Sequence, residues 1–138
     1  MFKTILVAYD GSEAADNALE YACVLARKFG ATIDVISVVH RPLIGDNVEL
    51  TAEIDQGIRH AERAITHLRN RTRDNGLEIN FLTLVGQPEA RIVARAESID
   101  ADLIVMGCRG ISAIERWLTG STVRQVMGHS QRAMLIVQ

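Results

Sequence analysis

The sequence Asp102-Leu103-Ile104-Val105-Met106-Gly107-Cys108-Arg109-Gly110 joins an apolar strand to a loop that contains two glycines. Nine residues then separate Gly110 from Gly120-Ser121-Thr122, and Val123-Arg124-Gln125-Val126-Met127 follows with the pattern of a helix start. Glycines in a strand-to-helix loop let backbone N–H groups approach an anion closely, and the N-terminus of a helix attracts negative charge. The stretch therefore predicts a phosphate-binding loop, and nucleotide binding is the leading hypothesis.

The glycine spacing also has an ordinary explanation. At average glycine content, three glycines at fixed offsets arise by chance in about 4 of every 100 chains of this length. In that case Gly107 and Gly110 are turn residues and Ser121 is a common helix N-cap. The residues alone leave both interpretations open.

Composition excludes several classes of function. The chain has 138 residues, a formal net charge of −2, 48% apolar and 4% aromatic residues. We therefore expect one globular domain over residues 1–138. We expect no nucleic-acid partner, because the chain has no excess of basic charge and few aromatic rings on which bases could stack. No apolar run has the ~20 residues of a membrane span, so we expect no membrane partner. The start of the chain lacks a signal-peptide layout, which favours a cytoplasmic protein.

Strand and helix patterns alternate along the whole chain. Runs of strand formers lie at residues 3–9, 32–39, 77–85, 102–106 and 133–137, and helical patterns lie between them at 13–29, 50–75, 88–100 and 121–129. Right-handed crossovers in this order produce an open parallel five-stranded sheet with helices on both faces. The sequence predicts an α/β fold of this kind.

Two strands end in distinctive residues, the first at Asp10 and the fourth at Gly107. Ligands of open parallel sheets bind at the carboxyl ends of the strands, where the winding reverses. If these two strands are neighbours, a carboxylate lies beside the glycine loop in one crevice. That combination suits a nucleoside with a phosphate tail.

The segments 5–12 and 101–107, together with the glycine spacing, resemble the universal stress protein family. The spacing G-x2-G-x9-G-[S/T], formed by Gly107, Gly110, Gly120 and Ser121, matches its ATP-binding subgroup. The resemblance covers essentially the whole chain. It implies a Rossmann-like, adenine nucleotide alpha hydrolase-like fold with strand order 3-2-1-4-5.

The resemblance also implies nucleotide contacts at the end of the first strand. Asp10 matches the family carboxylate that faces the nucleoside, Ala8 and Tyr9 line the same pocket, and the backbone of Val38 meets the adenine edge. An ordinary alternative for Asp10 is a turn or helix-capping residue.

Further contacts implied by the resemblance follow the fourth strand. Met106 and Gly107 pass beneath the ribose and phosphates. The triphosphate is then held by Arg109, Gly110, Gly120, Ser121 and Thr122. The alternative for Arg109 is a side chain that points to solvent.

The last strand departs from the family pattern. Arg132-Ala133 stands where the family usually has Cys-Pro, so the exact edge used for pairing is open. The resemblance implies a homodimer through Met134–Val137. An apolar edge strand exposed on a monomer would also favour aggregation, which is a physical reason for pairing.

The sequence favours a binder over a catalyst. No general base is expected beside the loop, and the Walker lysine motif and zinc motifs do not occur in the sequence. The four histidines have no ligand spacing, so Mg²⁺ would be held mainly by phosphates and water. We expect a stress-response regulator that binds ATP, or another adenine nucleotide, between the first and fourth strands with slow or no hydrolysis. The alternatives are a nucleotide-independent protein-interaction module and a weak ATPase.

Overall fold

A computed structural model describes residues 1–42, 47–108 and 120–138. The helices and strands alternate as the sequence predicts. In chain order they are β1 (Thr4–Ala8), α1 (Glu13–Phe29), β2 (Thr32–His40), α2 (Val48–Thr72), β3 (Ile79–Gly86), α3 (Pro88–Ser98), β4 (Leu103–Gly107), α4 (Gly120–His129) and β5 (Ala133–Val137).

All five strands are parallel and lie in the order β3-β2-β1-β4-β5. In the centre of the sheet Ile5 of β1 pairs with Ile33 of β2 on one side and with Leu103 of β4 on the other. The predicted parallel α/β sheet and its strand order are confirmed. The winding reverses between β1 and β4, so the crevice of this sheet lies at their carboxyl ends.

Each face of the sheet is covered by two helices. On one face, Ile5 and Val7 pack in a core with Ala18 of α1 and Leu68 of α2. On the other face, a second core contains Leu6 and Ala8 of β1, Ile104 and Met106 of β4, Ile92 of α3 and Val126 of α4. Neighbouring residues of a strand point to opposite faces, and this explains why β1 is apolar at every position from Ile5 to Ala8.

Helix α1 begins and ends where the sequence predicts. Ser12 is its N-cap, and the side chain accepts a 3.1 Å hydrogen bond from the backbone N–H of Ala15. Gly30 closes the helix in the left-handed region at φ +68°, which glycine adopts without a steric penalty. The buried face of α1 is rich in alanine, so its backbone lies close to the sheet.

Within the described residues, no helix has both the length and the apolar character needed to cross a membrane.

Candidate functional site

The carboxyl ends of β1 and β4 lie side by side. Ala8 and Met106 are register partners, so the residues that follow them, Tyr9-Asp10 and Gly107-Cys108, lie next to each other at this end of the sheet. The backbone N–H of Cys108 donates a 2.8 Å hydrogen bond to the carbonyl of Val137, which continues the pairing with β5. The predicted juxtaposition of Asp10 with the start of the glycine loop is therefore present.

Asp10 uses its two carboxylate oxygens differently. Oδ1 accepts a 2.9 Å hydrogen bond from the backbone N–H of Ser12, which shapes the turn into α1. Oδ2 is buried and has no hydrogen-bond partner among the described residues. Buried polar atoms normally have a partner. One oxygen of the carboxylate thus stabilises the turn into α1. The other oxygen can accept a hydrogen bond from a donor that is not among the described residues.

A recess of about 230 Å³ lies beside Asp10, between the carboxyl ends of β1 and β2 and the side of α2. We call it the α2 recess. Its lining includes Tyr9, Asp10, Ser37, Val39, His60 and Ala61. Most of this surface is apolar or neutral, which suits the flat ring of a base better than a phosphate group.

Tyr9 forms a fixed wall of the α2 recess. Its side chain is buried, and its hydroxyl donates a 2.6 Å hydrogen bond to Oδ1 of Asp16 in the first turn of α1. Burial, with the hydrogen bond to Asp16 as a second cause, raises the pKa of Tyr9 well above its ordinary value. The phenol is therefore a stable donor at physiological pH.

Val38 contributes through its position in β2. Val38 lines the recess, although the residue is only 1% exposed. Its side chain packs in the core beneath α3 and α4. The prediction that its backbone faces the ligand is compatible with this placement.

Ala8 and Met106 are completely buried. Both side chains pack in the core shared with α3 and α4, and Ala8 does not line the α2 recess. Their contribution to a site at this edge is limited to the backbone and to the shape of the floor.

Gly107 has a packing role that the sequence analysis did not identify. A Cβ atom at this position would lie 2.4 Å from the carbonyl carbon of Ala14 and 2.5 Å from the backbone nitrogen of Ala15. Real Cβ atoms do not come this close to backbone atoms. The absence of a side chain at 107 is what lets β4 end directly against α1.

The second half of the glycine motif lies at the start of α4. Gly120 is its first residue, Ser121 is exposed and Thr122 is 7% exposed. Ser121 therefore lies within α4, one residue after Gly120. The N-terminal end of a helix carries partial positive charge. Arg109 and Gly110 lie outside the described residues.

Several residues of the α2 recess were not identified as site residues from the sequence. They are Ser37, Val39 and His40 of β2 and Gly57, His60, Ala61 and Ala64 of α2. One signal was available, since Ser37 is one of two buried polar residues in the mostly apolar run of β2. The α2 residues had none, because Ala61 belongs to the ordinary apolar stripe of its helix.

The described part of the chain contains no group of three or more His, Cys, Asp or Glu side chains that could hold a metal ion. A Mg²⁺ ion that arrives with a nucleotide needs no such group, because phosphates and water commonly supply most of its ligands.

The similarity to known proteins covers the full length of the chain. The sequence model of the universal stress protein family matches residues 1–138. A universal stress protein of Methanocaldococcus jannaschii is 30% identical over 141 aligned positions, covering 100% of this chain and 83% of that protein.

Solved structures agree with the fold. Universal stress protein UspA from Lactobacillus plantarum has a TM-score of 0.86 at 24% identity, covering 99% of this chain and 98% of that one. A universal stress protein in complex with cAMP has a TM-score of 0.75 at 25% identity, covering 99% and 97% of the two chains. The protein from Archaeoglobus fulgidus in complex with dAMP has a TM-score of 0.64 at 25% identity, covering 100% and 98%. With a family match along its whole length and a relative at 30% identity, this chain belongs to the universal stress protein family.

Proposed function

We propose that this protein binds ATP, or another adenine nucleotide, in the crevice between β1 and β4. The observation that carries the proposal is the buried Oδ2 atom of Asp10, which lacks a hydrogen-bond partner among the described residues and lies at the switch point of the sheet. An ionised carboxylate oxygen only accepts hydrogen bonds. A sugar hydroxyl or a base amino group supplies the donor that it needs.

The relatives support an adenine nucleotide in particular. Two universal stress proteins of similar fold have been determined with cAMP and with dAMP. These ligands differ in the sugar and in the phosphate linkage, and they share the adenine ring. In our proposal the nucleoside lies at the Asp10 side of the crevice, and the phosphates extend toward Gly107 and the start of α4. The predicted contacts at Arg109, Gly110, Gly120, Ser121 and Thr122 are part of this proposal.

We assign the protein a regulatory role with slow or no hydrolysis. Hydrolysis of a γ-phosphate needs a positioned water and groups that stabilise the developing charge. Asp10 is engaged with the turn at Ser12 and is assigned to the nucleoside end. A Mg²⁺ ion would be bound by phosphate oxygens and water. The cytoplasmic location and the stress-response role rest on the sequence analysis and on the family.

The proposal includes a homodimer through β5. This strand is at the edge of the sheet, and its residues Met134, Leu135 and Ile136 are half-buried in the isolated chain. Exposed strand edges are normally covered in native proteins. A second copy paired along Met134–Val137 would cover this edge.

Calorimetry tests the nucleotide proposal directly. Extensively dialysed protein is titrated with ATP, ADP, AMP and cAMP, each with and without Mg²⁺, and phosphate release is followed for several hours. We expect binding of at least one adenine nucleotide with a Kd near 1 μM, about −8 kcal/mol. We expect little or no phosphate release over the same hours. Absence of binding heat and of any thermal shift with all four ligands would contradict the proposal and favour the alternative of a nucleotide-independent protein-interaction module. Steady phosphate release would establish an ATPase.

A further inference from the structure

Ser37 is a buried polar residue in β2, a strand that is mostly apolar. It is 8% exposed and has no hydrogen bond to a described residue through its side chain. It also lines the α2 recess, on the face of β2 opposite to Val38. A serine hydroxyl is one donor and two acceptors. At the floor of the recess this hydroxyl is open to the cavity, where a ligand can hydrogen-bond to it.

The walls around Ser37 leave a slot. Tyr9 is held on one side by its hydrogen bond to Asp16, and Gly57, Ala61 and Ala64 of α2 line the recess with small residues. At Gly57 the helix lies very close to β2, since a Cβ atom there would be 2.8 Å from Cγ1 of Val39. Apolar walls with a few polar atoms are the usual design of a base-binding pocket.

Charge decides which part of a nucleotide fits this slot. The carboxylate of Asp10 lies at the recess and would repel a phosphate, whereas the N-terminus of α4 would attract one. The base, which is neutral and flat, is the part that the α2 recess accepts. Ser37 would then face the edge of the ring.

We propose that Ser37 is a specificity-determining residue whose hydroxyl hydrogen-bonds to the edge of the base. This inference rests on the proposed function, and it adds a side chain of the α2 recess that recognises the base. Because the hydroxyl both donates and accepts, it matches a base edge that presents a ring nitrogen or an amino group.

The test compares three ligands on two variants. Ser37→Ala removes the hydroxyl at almost constant size. Thr83→Val is the matched control, because Thr83 is the register partner of Ser37 on β3 and does not line the recess. Each protein is titrated with ATP, adenosine and inorganic triphosphate.

For Ser37→Ala we expect affinity for ATP and for adenosine to fall by the same factor, about 3- to 10-fold. Affinity for inorganic triphosphate should not change, and Thr83→Val should match the wild type with all three ligands. A second variant, Ala64→Leu, fills the slot and should weaken ATP binding by more than tenfold.

Unchanged ATP affinity in Ser37→Ala, with the wild type binding normally, would overturn this inference and leave the proposed function standing. An equal loss for ATP and triphosphate would overturn it too, because it would mean a general structural effect. No binding of any adenine nucleotide by the wild type would instead overturn the proposed function.

Discussion

The hydroxyl of Tyr9 donates a 2.6 Å hydrogen bond to Oδ1 of Asp16, and Nη1 of Arg71 lies 3.9 Å from the same oxygen. These contacts join the end of β1 to α1 and α2, the two helices on that face of the sheet. Because Tyr9 is also a wall of the α2 recess, they fix the shape of the recess before any ligand arrives.

Substitution of Tyr9 by Phe should alter the alkaline stability. The raised pKa means that the folded protein holds the phenol proton more tightly than the unfolded chain. This contribution is complete below the ordinary tyrosine pKa of about 10 and is lost as the pH rises above it. We expect Tyr9→Phe to be about 1 kcal/mol less stable at pH 7, and this deficit should shrink as the pH rises above about 10.

Urea unfolding of both proteins between pH 7 and pH 11 measures this difference. Parallel stability curves over the whole range would show that Tyr9 is not protected from ionisation by folding.

Substitution of Gly107 by Ala should destabilise the fold. The added methyl group would meet the backbone of Ala14 and Ala15, which cannot move without shifting α1. Overpacking of this kind costs about 1–3 kcal/mol. The matched control is Gly128→Ala in α4, where a Cβ meets nothing within 4 Å, and helix propensity predicts a gain of up to about 1 kcal/mol. Thermal unfolding compares the two, and equal stabilities would refute the packing explanation for Gly107.

Substitution of Asp10 by Asn should separate the two oxygens of this residue. The amide carbonyl can still accept the hydrogen bond from Ser12, whereas the buried Oδ2 acceptor is replaced by a donor. We expect the ligand-free protein to be at least as stable as the wild type, with ATP affinity about 10- to 100-fold lower, since hydrogen bonds to charged groups are the stronger ones.

Asp102→Asn is the control for this experiment. Asp102 accepts hydrogen bonds from the backbone of Lys3 and Thr4 at the amino ends of β1 and β4, away from the proposed site. Those bonds lower the pKa of Asp102. Its loss should reduce stability and leave ATP affinity unchanged. If the Asp10→Asn protein binds ATP with wild-type affinity, Asp10 does not contribute to nucleotide binding.

Substitution of Arg95 should expose the role of a buried ion pair on the other face. Arg95 of α3 makes two hydrogen bonds to Asp34 of β2, at 2.8 and 2.9 Å, and Asp34 is 4% exposed. Arg95→Met leaves a buried carboxylate alone and should cost about 3 kcal/mol. The double variant Asp34→Val with Arg95→Met should recover most of this loss. If the double variant is as unstable as the single one, the cost comes from lost packing around Arg95 and not from the charge.

The sequence predicts the fold well because the fold follows from local patterns. Alternating apolar runs, the cap at Ser12 and the stop at Gly30 specify the elements, and handedness restricts the topology. The turn at Asp10 and its proximity to the end of β4 follow from the same reasoning.

Prediction of the site was less complete because its shape depends on contacts between distant segments. Glycine is needed at 107 because α1, about ninety residues earlier in the chain, packs against it. A local sequence motif does not include a contact between segments so far apart. Ser37 and His60 share a recess only because α2 crosses over the end of β2. Arg109 and Gly110, the middle of the predicted loop, remain predictions.

A crystal structure of the protein grown with Mg-ATP tests the central claim most directly. We predict an adenine nucleotide in the crevice between β1 and β4, with one of its O–H or N–H donors within about 3.2 Å of Oδ2 of Asp10. The phosphates should extend toward the first turn of α4. A nucleotide bound elsewhere, or one in the crevice that leaves Oδ2 of Asp10 without a donor, would contradict the account.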